Sequence, residues 1–213
     1  MEFESLLAFI GVESLFESSL LYAGKVNPAS LQVQLTRWKD SGKVLQLRRG
    51  LYVLAPPYQK VKPHPFVIAN HMSRASYVSR QSALAYYAII PEYTPVTTSV
   101  TTLRPGIWKN ALGIYDFRHI KPGLFLGYRM TDLGNGQRAF VATAEKALLD
   151  LIYLQTNSDS PAYLRELRLQ NLESLSLEAL RCYAGLYLSP KVQRAAEMVA
   201  KLAEAETREY QVL

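Results

Sequence analysis

The stretch from Asn27 to Leu54 leaves this chain few options, because a capped helix in it runs directly into a short hairpin. Asn27 can accept a bond from a free N–H at a helix start, and Pro28 has no N–H to lose, so the sequence predicts a helix beginning at Pro28. Leu31, Leu35 and Trp38 recur at i, i+4 and i+7 and make one apolar stripe that can dock on a small domain. Ser30, Gln32, Val33, Thr36, Arg37 and Lys39 point away from that stripe, with only Asp40 negative beside them. Hydroxyl, amide, methyl and cationic groups of this kind can address base edges and phosphates. Gly42 ends the helix, and Lys43 to Leu47 and Leu51 to Leu54 are strand-like runs on either side of Arg48, Arg49 and Gly50. A helix followed by a hairpin with a basic tip has the order of a recognition helix and wing, the helix suited to the major groove and Arg48 and Arg49 to phosphates or the minor groove. An ordinary surface helix and solvated turn would share the local pattern, but the charge is distributed unevenly. Residues 1–23 carry four acids and no base, whereas residues 24–60 carry seven Lys or Arg against the single Asp40.

Upstream, Leu6, Leu7, Phe9 and Ile10 predict a short helix, and Leu15, Phe16, Leu20 and Leu21 predict a second one over Glu13 to Tyr22. With Ala23 to Val26 as a turn, the order is helix, helix, turn, helix, hairpin, which is that of a winged helix-turn-helix over residues 1–60. Pro56 and Pro57 cannot continue a paired strand, and the proline- and charge-rich run to Pro65 marks a domain joint.

Residues 61–213 read as one α+β domain with a mainly antiparallel sheet and a helical C-terminal third. A helix is expected from Phe66 to Met72, an extended piece at Tyr77 and Val78, and a helix capped by Ser79 running to about Ala88. Strands are expected at Thr94 to Leu103, Ile114 to Ile120, Leu124 to Met130 and Gln137 to Val141, where Thr, Val and aromatic residues suit a pleated surface. Thr143 can cap a helix from Ala144 to Tyr153, with Ala147, Leu148, Leu151 and Ile152 on its apolar face and Glu145 near its positive end. Further helices are predicted at Ala162 to Leu169, Leu177 to Tyr187 and Pro190 to Glu209.

The 213 residues, 49% hydrophobic and 20% charged, can bury a core in each domain, and the net charge of +6 suits a polyanionic partner. Cys182 stands alone, so no intrachain disulfide forms, and the sequence shows no membrane-spanning run and no leader; a cytoplasmic protein is expected.

Three stretches carry a resemblance. They are the basic wing Leu47-Arg48-Arg49-Gly50-Leu51-Tyr52-Val53-Leu54, the run Tyr77-Val78-Ser79-Arg80-Gln81-Ser82-Ala83-Leu84, and Thr143-Ala144-Glu145-Lys146-Ala147-Leu148-Leu149-Asp150. In this order they resemble the AbiEi family of bacterial antitoxins, which join a winged helix to an antitoxin domain. The resemblance implies a transcriptional autorepressor that binds double-stranded operator DNA at inverted repeats. It also implies an antitoxin that opposes a nucleotidyltransferase-like toxin encoded beside it, with or without direct contact. Tyr77, Ser79, Arg80, Ser82, Glu145, Lys146 and Asp150 are then motif residues of the antitoxin domain.

Enzyme readings find less support. His64, His71 and His119 have no compact metal-ligand spacing, Glu145 and Asp150 lie five apart on a helix and face different ways, and Gly134-Asn135-Gly136 is a turn that does not open a helix. No enzymatic activity, metal or cofactor is expected. The alternative function is a winged-helix regulator whose second domain senses a ligand or a protein and is not an antitoxin.

Overall fold

The computed structural model describes residues 1–22, 27–91 and 95–211, of which 207–211 are described as backbone. It is an α+β structure with two sheets, one on each side of the proline-rich joint. The chain begins with α1 (Phe3–Ile10), followed by β1 (Phe16–Glu17), a 3-10 helix (Ser18–Tyr22), α2 (Pro28–Asp40), β2 (Val44–Arg48) and β3 (Leu51–Leu54). Asn27 caps α2 as expected, its Oδ1 accepting from the Ala29 N–H at 2.9 Å. β1, β3 and β2 form an antiparallel sheet in that order.

The expected second helix over Glu13 to Tyr22 is a correction: β1 and the 3-10 helix stand in its place. The reason is tertiary. Pairing with β3 satisfies the backbone of Phe16 and Glu17 and stacks Phe16 on Tyr52, ring centroids 5.7 Å apart, while the Ser18 N–H donates to the Gly50 carbonyl at 2.9 Å and ties the hairpin tip down. The turn expected at Ala23 to Val26 lies outside the described residues, as does Thr94.

β3 is buried on both faces. Tyr52 and Leu54 pack with Phe3, Leu6, Leu31, Leu35 and Trp38 under α1 and α2. The alternate residues Leu51 and Val53 join Leu47 and Leu15 in the larger core of the following unit. Polar ties also cross the joint: Arg74 donates to Glu17 Oε2 at 2.5 Å, and Asn110 Nδ2 to the Leu47 carbonyl at 3.5 Å.

After the joint come α3 (Pro65–Met72), β4 (Ser76–Val78), α4 (Arg80–Tyr86), β5 (Val96–Thr101), β6 (Gly106–Asn110), β7 (Gly113–His119), β8 (Tyr128–Asp132), β9 (Arg138–Ala142), α5 (Ala144–Leu154), α6 (Pro161–Glu166), α7 (Leu177–Leu186) and α8 (Pro190–Gln211). The six strands pair in the order β6-β7-β5-β4-β9-β8. Three ladders are antiparallel, but β5–β7 and β4–β9 are parallel, so the sheet is mixed where a mainly antiparallel one was expected. β6 was not anticipated, and within the run Leu124 to Met130 only the last residues are strand, the first belonging to a 3-10 turn. Among the described residues no helix is long and apolar enough to cross a membrane.

Candidate nucleic-acid interface and the buried motif cluster

The two groups of residues singled out in the sequence occupy opposite environments. On α2 the stripe Leu31, Leu35 and Trp38 is buried, and Ser30, Gln32, Val33, Thr36, Arg37 and Lys39 are all exposed. Among the described residues Gln32, Arg37 and Arg49 make no side-chain hydrogen bond or ion pair, so their donors are available to a ligand. Thr36 is partly committed, because its hydroxyl donates to the Gln32 carbonyl at 2.9 Å, and Lys39 sits 3.7 Å from Asp40. Arg37 and Lys39 lie in the last turn of α2, where the helix dipole favours positive charge.

The hairpin divides its two arginines. A bulge between Gln46 and Arg48 and the left-handed Gly50 (φ 81°) turn the tip sharply. Arg49 stays exposed and has no partner among the described residues, but Arg48 donates from a guanidinium N–H to the His71 carbonyl on α3 at 3.0 Å. Arg48, expected at phosphates with Arg49, therefore also fastens the hairpin to the second unit. Beside this contact His71 Nδ1 lies 4.0 Å from Glu17 Oε1. Burial holds His71 below its ordinary value of 6.5, with Arg74 and Arg48 adding to the effect against Glu17. Glu17 is held below 4.5 although burial alone would raise it, because the Arg74 hydrogen bond and charge dominate.

Both shifts have the same sign for stability. An imidazole that protonates less readily when folded supports the fold above its unfolded value, and that support is lost as pH falls toward the folded one; a carboxylate with a lowered value supports the fold above 4.5 and loses that support as pH falls further. The melting temperature is therefore expected to fall between about pH 7 and about pH 5, and less so in His71→Gln. Thermal melts across that range check this, and parallel curves for the two proteins would assign the pH dependence elsewhere.

Exposure ends at the motif residues. Tyr77, Ser79, Lys146 and Asp150 are fully buried, and Arg80, Ser82 and Glu145 nearly so. Lys146 and Asp150 are four apart on α5, on the face turned to the sheet. Asp150 Oδ2 accepts from Tyr77 at 3.1 Å and from Ser79 at 2.7 Å. Its Oδ1 accepts from the Lys146 ammonium and from Tyr187, the latter at 2.7 Å. Lys146 also donates to the Tyr187 hydroxyl at 2.7 Å and lies near the Tyr77 and Tyr187 rings, 5.5 and 5.1 Å from their centroids. All four acceptor positions of the carboxylate are thus occupied. Burial lowers the Lys146 value against the opposing pull of Asp150, and burial followed by the Asp150 charge pushes both tyrosines upward.

Ser79 occupies the N-cap position of α4 but makes no capping bond with its side chain. Its hydroxyl is spent on Asp150, which corrects the capping role expected of it. Arg80 adopts a left-handed backbone (φ 60°), turning β4 directly into α4, and its guanidinium pairs with Asp116 Oδ2 at 2.9 Å. Ser82 locks α4 to β5: its N–H donates to Thr98 Oγ1 at 3.0 Å and its Oγ accepts from the Thr98 N–H at 2.8 Å. Glu145 accepts the Ser176 N–H at 2.8 Å and holds the start of α7 against α5. Gly127 (φ 71°) closes over the cluster, where a Cβ would stand 3.0 Å from Lys146 Cγ. No protein-family model and no curated protein matches this chain.

Every motif residue of the second unit is therefore used inside it, joining β4, α4, α5 and α7. Tyr187 was missed in the sequence because it lies 37 residues from Asp150. The signal that could have pointed to it is the pair itself, since two charges at helical spacing on an apolar face need buried hydroxyl partners.

Proposed function

We propose that this protein is a sequence-specific DNA-binding repressor whose residues 1–60 are a winged helix-turn-helix, with α2 as recognition helix and β2–β3 as wing. The observation that carries this reading is the face of α2. Its apolar stripe is seated in a core, while Gln32 and Arg37 project beside Val33 and Thr36 with no partner among the described residues, and the hairpin that follows ends in the exposed Arg49. The succession of α1, β1, 3-10 helix, α2 and hairpin, with strand order β1-β3-β2, further supports it. The operator is double-stranded DNA with inverted repeats, as the AbiEi resemblance implies, and on the same basis the protein acts as an antitoxin against a nucleotidyltransferase-like toxin. Because the antitoxin-domain motif residues Tyr77, Ser79, Arg80, Ser82, Glu145, Lys146 and Asp150 are buried, we assign them to building the second unit; a surface for the toxin would come from other residues.

The test is a fluorescence titration of the protein against DNA from upstream of its own gene and a scrambled duplex, at several salt concentrations. Tighter binding to the upstream DNA is expected, and Arg49→Ala should flatten the salt dependence by about one unit. Equal affinity for both duplexes would end the repressor reading, and an unchanged salt slope would take the wing off the DNA. Growth rescue of cells expressing the neighbouring gene product tests the antitoxin role, which failure to rescue would remove.

A regulator that senses a ligand is the second reading. The observation favouring it is a cavity of about 450 Å³ between α6 and α8, within the size range of small-molecule sites.

A further inference from the structure

That cavity is lined by Leu164, Leu169, Leu172, Met198 and Leu202. Leu164 and Leu172 are buried at its floor, and Leu202 is 43% exposed at its mouth, so the apolar lining continues from the interior to the surface. Arg165, Arg168 and Lys201 stand around it against the single carboxylate Glu206. Two exposed arginines nearby, Arg181 on α7 and Arg194 on α8, are matched to acids. Arg181 pairs with Glu197 and Glu204 at 3.2 Å, and Arg194 with Asp159 at 2.6 Å. Among the described residues Arg165 and Lys201 have no such partner. This leaves, among the described residues, two cations without an ion-pair partner beside an apolar cavity.

We infer that this cavity binds a small amphipathic anion, with an apolar tail among Leu164, Leu172 and Met198 and a carboxylate at Arg165 and Lys201. An apolar body removes lining surface from water, and a carboxylate supplies the charge that the two cations lack. The binding stands by itself. Its role as an effector that alters operator affinity rests on the DNA-binding reading above.

Decanoate is a suitable probe for calorimetric titration of the full-length protein, with decyltrimethylammonium as the same tail under the opposite charge and acetate as the charge without the tail. Saturable binding of one decanoate is expected, with neither control binding comparably. The double variant R165E/K201E, which alters only exposed groups, should melt like the parent and bind decanoate at least about tenfold more weakly. Met198→Trp should obstruct the cavity and abolish binding. Unsaturable uptake, equal binding of the cationic probe, or parent-like affinity in R165E/K201E would each overturn the proposal, as would self-association of the protein that decanoate does not disperse. If decanoate binds as expected but leaves operator affinity unchanged, the site stands and its effector role fails. If the protein shows no preference for its upstream DNA, the repressor reading fails and the site is untouched.

Discussion

Replacing Asp150 by leucine should destabilise the protein by roughly 3–5 kcal/mol, the cost of breaking a buried ion pair from one side. The carboxylate accepts from Tyr77, Ser79, Lys146 and Tyr187, and its removal strands three hydroxyl donors together with an ammonium that is 0% exposed. For a chain of this size the loss corresponds to a fall of roughly 6–20 °C in melting temperature. The double variant Lys146→Met with Asp150→Leu should recover a good part of it, since no uncompensated charge remains and Met and Leu fill much of the same space. Denaturant titrations of the three proteins decide the matter. A single variant that costs under about 1 kcal/mol, or a double variant no better than the single, would mean that the cluster does not hold these elements together.

On the DNA side, Gln32→Ala and Arg37→Ala should each weaken operator binding by roughly 1–3 kcal/mol while barely changing affinity for scrambled DNA. Their side chains are exposed and have no partner among the described residues, and amide and guanidinium groups read base edges in pairs of bonds. Thr36→Ala should have a smaller effect, because its hydroxyl proton already goes to the Gln32 carbonyl. Arg48→Ala should lower thermal stability more than it changes the salt slope, since the guanidinium is bound to the His71 carbonyl. Titrations of each variant against matched and scrambled duplexes distinguish these outcomes. Parent-like selectivity in both Gln32→Ala and Arg37→Ala would move the reading surface off α2.

Elements with both a period and a cap were legible. For α2 the stripe fixed the buried face and Asn27 with Pro28 fixed the start; for α5, Thr143 did the same, accepting the Lys146 N–H at 3.3 Å. Residues 13–22 misled because Leu15, Phe16, Leu20 and Leu21 suit a helix, whereas the conformation follows from a free strand edge on β3. β6 escaped notice because an edge strand with the adjacent Ile107 and Trp108 both exposed carries little alternation. Ladder direction is a property of the connections, so nothing local to Tyr77 and Val78 marks the parallel partner at Val141. The candidate site divided along the same line. Exposed residues on α2 followed from its period, but the convergence of Tyr77, Ser79, Lys146, Asp150 and Tyr187 needed the topology.

The position of β4 has a consequence for synthesis. The N-terminal sheet closes within Phe16 to Leu54, so it can pair soon after that segment leaves the ribosome. β4 lies at the centre of the larger sheet, with β5 on one side and β9 on the other. Its second edge stays open until Val141 has emerged, and the carboxylate of Asp150 lacks its last hydroxyl until Tyr187 follows. A nascent chain halted between those points presents an unpaired strand edge and a partly formed polar cluster, a state prone to associate with its neighbours. Completion of the second unit is thus tied to translation reaching the end of α7, well after the exposed face of α2 proposed to meet DNA has been made.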